Sequence, residues 1–140
     1  MVHALNESWR VLKQGGWLID IRPYSQNMPV EVIIDGAVVI AGPIDSSAGV
    51  PDDEASDRAI KEVVKNGAYS KSEAGSFKFD YYWDTLEHMK DYVEERWSDS
   101  SHLPKKTLDE AARLVSESKS PIQIRIQSNM KIVRYKKLDR

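Results

Sequence analysis

Apolar positions change period repeatedly along this chain, and each change marks an element. Leu5, Trp9 and Leu12 recur near helical spacing, with Val2 and Val11 on their flanks, which predicts a helix over residues 3–13. Gly15-Gly16 ends it, because glycine enters the left-handed region at little steric cost. Trp17-Leu18-Ile19-Asp20-Ile21 is short and mostly apolar, the pattern of a strand buried on both faces, and Pro23 stops it. Val30 to Ile34 and Ala37 to Ala41 are β-rich runs separated by Asp35-Gly36, a pair that favours a type I′ hairpin turn. Gly42 to Asp53 is turn-rich and reads as an exposed loop.

Asp52-Asp53-Glu54 opens a second helix with acids at its positive dipole end. Ala55, Ala59, Ile60, Val63 and Val64 give that helix one apolar face, and Asn66-Gly67 closes it. After a polar stretch, Phe77 to Trp83 alternates as a strand. Asp84, with Glu87 three residues on, predicts a capping box for a third helix lined by Leu86, Met89, Val93 and Trp97. Thr107 with Glu110 repeats the box before a fourth helix carrying Leu108, Ala111, Ala112 and Val115. Ile122, Ile124 and Ile126 alternate as a strand. Met130, Ile132 and Val133 continue it, after a Ser128-Asn129 turn or through a bulge. The order predicts one α/β or α+β domain over residues 1–140, with a mixed sheet, helices and a β-hairpin.

Composition narrows the function classes. A net charge of −2 argues against a general nucleic-acid binder, although Lys131, Arg134, Lys136, Lys137 and Arg140 crowd the last ten positions. Lysines there suit a solvated strand edge that resists pairing. Without cysteine there is no disulfide, thiolate metal site or cysteine nucleophile, a composition that fits a cytoplasmic protein. No apolar run reaches the length of a membrane helix, so no membrane partner is expected.

Three stretches resemble a known family. Glu7-Ser8-Trp9-Arg10-Val11-Leu12-Lys13-Gln14-Gly15-Gly16-Trp17-Leu18-Ile19-Asp20 is similar to the helix-to-strand unit ahead of the fifth strand in class I S-adenosylmethionine-dependent methyltransferases. Phe79 to Leu86, followed by Glu94-Glu95-Arg96-Trp97, resembles an aromatic sixth strand and the helix after it. Ile124 to Tyr135 resembles the last strand. The resemblance implies an incomplete Rossmann-like methyltransferase fold, corresponding to the family's C-terminal half. The cofactor-binding half is expected to be absent, because the unit that normally follows it stands here just after Met1.

The glycines agree with that expectation. Gly15-Gly16 stands at a helix C-terminus, the wrong pole for a phosphate or nucleotide. Gly42 to Gly49 lacks a following G-K-[ST]. No cofactor is therefore expected for the chain alone, and S-adenosylmethionine only if a missing N-terminal half supplies its site.

Asp20, Arg22 and Tyr24 are the candidate substrate-binding residues. They end or follow the first strand, where ligands bind in open α/β sheets, and the resemblance implies that they border the acceptor pocket. The plainer reading pairs Arg22 with a carboxylate and packs Tyr24 under the hairpin. His3, His88 and His102 have no metal-like spacing, and no catalytic residue stands out. Tyr81, Tyr82 and Trp83 read as core packing rather than a stacking platform.

Two functions remain. One is a methyltransferase-like fragment or split subunit partnered by an N-terminal half. The other is a non-enzymatic dimerisation or small-ligand module derived from that fold. Whether the chain is an enzyme stays open. Trp17, Leu18, Ile19 and Ile21, left uncovered, would favour a homodimer, unless the Val30–Ala41 hairpin folds over that edge.

Overall fold

The computed structural model describes residues 1–139. Among these residues the fold is a mixed α/β structure of four helices and a five-stranded sheet that does not close. In chain order the elements are α1 (Val2–Val11), β1 (Trp17–Pro23), β2 (Pro29–Ile34), β3 (Ala37–Pro43), α2 (Val50–Lys65), β4 (Tyr69–Trp83), α3 (Leu86–Arg96), α4 (Lys105–Glu117) and β5 (Ile122–Lys137). The pairing is antiparallel. Strand β5 bonds β1 through its C-terminal half, β2 through its N-terminal half, and also β4.

The chain clusters into two compact units, between which β4 and β5 are divided. The first comprises Met1–Tyr24, Pro51–Phe77 and the residues from Met130 onward. Its core gathers Leu5, Ala59, Ile60, Val63, Tyr69, Val133 and Tyr135, with Trp9 and Leu18 packed against it. Buried Tyr69 donates its hydroxyl to the Leu5 carbonyl, and the Trp9 indole donates to that of Leu138, so both polar tips are satisfied. Here β1 departs from expectation. Its burial alternates: Leu18, Asp20 and Arg22 face inward, while Trp17, Ile19 and Ile21 stay 43%, 48% and 51% exposed. An antiparallel strand needs only one covered face, so an apolar run did not mean burial on both.

The second unit, Ser25–Val50 with Lys78–Asn129, is built on Val30, Val32, Ile44, Met89, Val93, Ala111, Ile124 and Ile126. Its hairpin forms as the sequence indicates. Asp35 and Gly36 have φ of 51° and 80°, the left-handed pair that a type I′ turn requires. The hairpin's β2 pairs with β3 and with β5.

Several boundaries move. The segment after β3 is not an exposed loop: Ile44, Ser46 and Gly49 are buried, and Asp45 and His102 exchange backbone hydrogen bonds in an isolated bridge. Pairing partners far along the chain satisfy backbone that local sequence leaves open. Thr85, not Asp84, caps α3, accepting from the His88 amide at 3.2 Å. Helix α4 starts two residues before Thr107, whose hydroxyl instead donates to the Pro43 carbonyl. Strand β4 begins eight residues before Phe77, because β5 supplies the ladder that its polar first half could not predict. Strand β5 runs through Ser128-Asn129 without a turn.

Candidate functional site

In the first unit, β1 ends beside a cavity of about 510 Å³ bounded by α2, β4 and β5. That volume is in the range of small-molecule sites. Ile60 and Val64 from α2, Ala74 from β4, and Val133 with Tyr135 from β5 give it an apolar floor. Arg22, Lys61, Lys65, Lys71 and Lys131 surround it, with Asp57 as the single acid. Tyr24 completes the rim, its ring 5.4 Å from the Lys131 ammonium. Helical spacing brings Asp57, Ile60, Lys61, Val64 and Lys65 onto one side of α2.

Two cations stand directly opposite each other here. Arg22 on β1 is the register partner of Lys131 on β5. Like charges at such a position repel. Asp57 relieves the repulsion with one atom: its Oδ1 accepts from Arg22 Nη2 at 2.9 Å and from Lys131 Nζ at 2.6 Å. Behind this bridge, Asp20 accepts both Nε and Nη2 of Arg22 at 2.8 Å, a bidentate clamp that fixes the guanidinium plane.

The titration behaviour follows the same geometry. Burial opposes the charge on Arg22, but hydrogen bonds and attraction from Asp20 and Asp57 outweigh it and hold the guanidinium protonated. The Asp57 carboxyl lies below its ordinary value of 3.8, first through the Lys131 hydrogen bond and, against some desolvation, through Arg22. Burial raises the Tyr135 phenol, and the Asp20 carboxylate adds to the rise. These shifts make a pH prediction. A carboxylate whose folded pKa is depressed stabilises the fold fully above its unfolded pKa, and loses that contribution as pH falls through the native value. Asp57→Asn should therefore be less stable than the parent at pH 6, and the gap should narrow on acidification below about 4. Urea midpoints from pH 6 to 2.5 measure this; a constant gap would remove the ion-pair explanation.

The structure thus joins two of the three sequence candidates at the cavity. Arg22 and Tyr24 line it, while Asp20 lies behind as the residue that orients Arg22. Arg22 does pair with carboxylates, as the plainer reading held, yet it still borders open space. Tyr24 remains partly exposed beside Lys131. Asp57, Lys61, Lys65, Lys71 and Lys131 were missed as site residues. Only the pairing of β1 with β5 and the docking of α2 place them there, although the Asp57–Lys61–Lys65 spacing was a visible one-sided pattern.

Other candidates carry less. Among the described residues no group of three or more His, Cys, Asp or Glu side chains is placed to hold a metal. No described helix is long and apolar enough to cross a membrane. Tyr81, Trp83, Tyr92 and Trp97 form a mutually packed aromatic group in the second unit, with the Tyr81 phenol raised by burial and then by Tyr92. Tyr82, on the opposite side of the strand, is exposed. The glycines at 42 and 49 are closely packed by the chain's own side chains. A methyl at Gly42 would meet Thr107 Oγ1 at 2.5 Å, and one at Gly49 would meet Ser25 Oγ at 2.6 Å.

No protein-family model matches the chain, and neither a curated protein nor a solved structure matches it.

Proposed function

We propose that this chain is a small-molecule-binding module whose site is the cavity at the end of β1. The observation that carries the proposal is the constellation of Arg22, Tyr24 and Lys131 around an apolar hollow of about 510 Å³. Small-molecule pockets combine an apolar lining with a few convergent polar groups. Saturation-transfer NMR against a fragment library tests it, with Val64→Trp as a variant whose added ring fills the cavity. Hits should shift the Tyr24 and Lys131 amides in ¹H–¹⁵N correlation spectra, and their saturation transfer should vanish in the variant. Hits that bind elsewhere and persist in Val64→Trp would reject the site.

A second reading is a methyltransferase-like split subunit, with this site as the acceptor side. In its favour, β5 bonds both β1 and β4, the other two strands that carry the family resemblance. In that reading S-adenosylmethionine is held by a separate N-terminal half. Isothermal calorimetry should detect no micromolar binding of that cofactor by the 140-residue chain; such binding would require a site of another kind.

We also propose a homodimer. Trp17, Ile19 and Ile21 are exposed together on one face of β1, and among the described residues the other edge of that strand has no partner strand. Arg134 lies 4.3 Å over the Trp17 ring and shields only part of this surface. A two-fold contact closes a patch of this kind with itself. Sedimentation equilibrium at tens of micromolar should give twice the 15.9 kDa of one chain, and Ile19→Lys should return it to 15.9 kDa. A monomeric parent would reject the dimer.

A further inference from the structure

Taking the cavity as the binding site, we propose that its ligand is a small amphipathic anion and that Asp57 is a built-in competitor for its head group. One pairing at the end of β1 is not favoured by a sheet itself. Arg22 and Lys131 face each other across the ladder, and a negatively charged oxygen between them offsets their repulsion. In the present structure that oxygen is Asp57 Oδ1, which accepts from both cations at once. The position is therefore an oxyanion position by its donors, whichever molecule supplies the oxygen.

The surroundings select charge and shape further. Lys61 and Lys65 of α2 and Lys71 of β4 leave the rim positive after Asp57 has been counted, on a chain whose net charge is −2. A concave site with one sign of charge concentrates ligands of the other. The Asp20 clamp holds the Arg22 plane without neutralising Lys131. Below the cations, Ile60, Val64 and Val133 offer apolar surface, which an inorganic anion would leave uncovered. The fitting chemistry is one carboxylate, sulfonate or phosphate head on a compact apolar body.

Asp57 makes the proposal specific. An external anion has to share or displace it, so its charge weakens binding. Neutralising it should tighten binding, the reverse of what removal of an ordinary contact residue does.

Two dyes of nearly the same apolar body separate the possibilities: 1-anilinonaphthalene-8-sulfonate, and N-phenyl-1-naphthylamine, which lacks the sulfonate. Fluorescence titrations should show the sulfonate bound about fivefold or more tightly than the neutral dye, a difference that one partly screened charge contact supplies. Lys131→Met should weaken the sulfonate about fivefold and leave the neutral dye unchanged. Asp57→Asn should tighten the sulfonate by a similar factor. Lys61→Met, on the exposed rim, provides a milder variant should Lys131→Met fold poorly, with a loss of about twofold.

Equal binding of both dyes, unmoved by the lysine variants, would overturn the anion assignment while the small-molecule site itself survived. Absence of binding by either dye would overturn both. Loss of the sulfonate in Ile19→Ser, with no change in Lys131→Met, would put the dye on the exposed face of β1 and overturn the assignment as well.

Discussion

Glu31→Ala should destabilise the protein towards the lower end of about 3–5 kcal/mol, the cost of leaving one partner of a buried ion pair alone. Glu31 is on β2, between β3 and β5, and only 7% of its surface is exposed. Its register partner on β5 is Arg125, whose Nε donates to Glu31 Oε2. Glu31 first, and Tyr82 after it, hold the Arg125 guanidinium charged. Asp80 Oδ2, 3.9 Å from Arg125 Nη1, forms a longer ion pair that offsets part of the loss. Arg125 keeps about a fifth of its side chain accessible, which places the loss low in the range. Replacing both partners by apolar residues, Glu31→Leu with Arg125→Met, should cost much less than Glu31→Ala, since no charge is then stranded. Urea unfolding of the two variants decides. Equal losses would show that the pair's value is packing rather than charge.

Met89→Ala should cost about 2–5 kcal/mol, as for a fully enclosed large-to-small change. Met89 has no exposed surface and lies in the second unit's core with Ile44, Val93, Ile124 and Ile126. The tryptophans nearby set the comparison. Trp83 and Trp97 pack against the same cluster but are only partly buried, and their rings contact Tyr81 and Tyr92. Trp97→Ala should therefore cost about 2–3 kcal/mol, less than the about 3–5 of a buried aromatic. Thermal and urea melts of both variants check the ranking. A Trp97→Ala protein that melts with the parent would show that the aromatic group carries no packing load, and would reopen it as a binding surface.

The sequence by itself determined those features that local chemistry decides. Asp35-Gly36 specified its hairpin because few other dipeptides accept two left-handed residues in succession. Ala59, Ile60 and Val63, like Met89 and Val93, marked the buried faces of their helices because a 3.6-residue period has one inward side. The alternation of Ile122, Ile124 and Ile126 marked β5. Pro23 marked the end of β1, which places Arg22 and Tyr24 where that strand stops.

Tertiary structure decided the rest. Glu73 and its polar neighbours belong to a strand only because β5 completes their hydrogen bonds; exposed on both faces, they leave no alternation to read. Thr107 looked like a cap, but its hydroxyl serves Pro43, 64 residues away along the chain. Asp84 yielded its capping role to Thr85, which lies one residue nearer the helix. The candidate site shows the same division most clearly. Nothing in the spacing of Arg22, Asp57 and Lys131 joins them, yet an antiparallel register sets the two cations opposite each other and a docked helix places one carboxylate oxygen between them. Periodicity reports which side of an element is buried, whereas a site made by three elements depends on their register and docking, which no local pattern encodes.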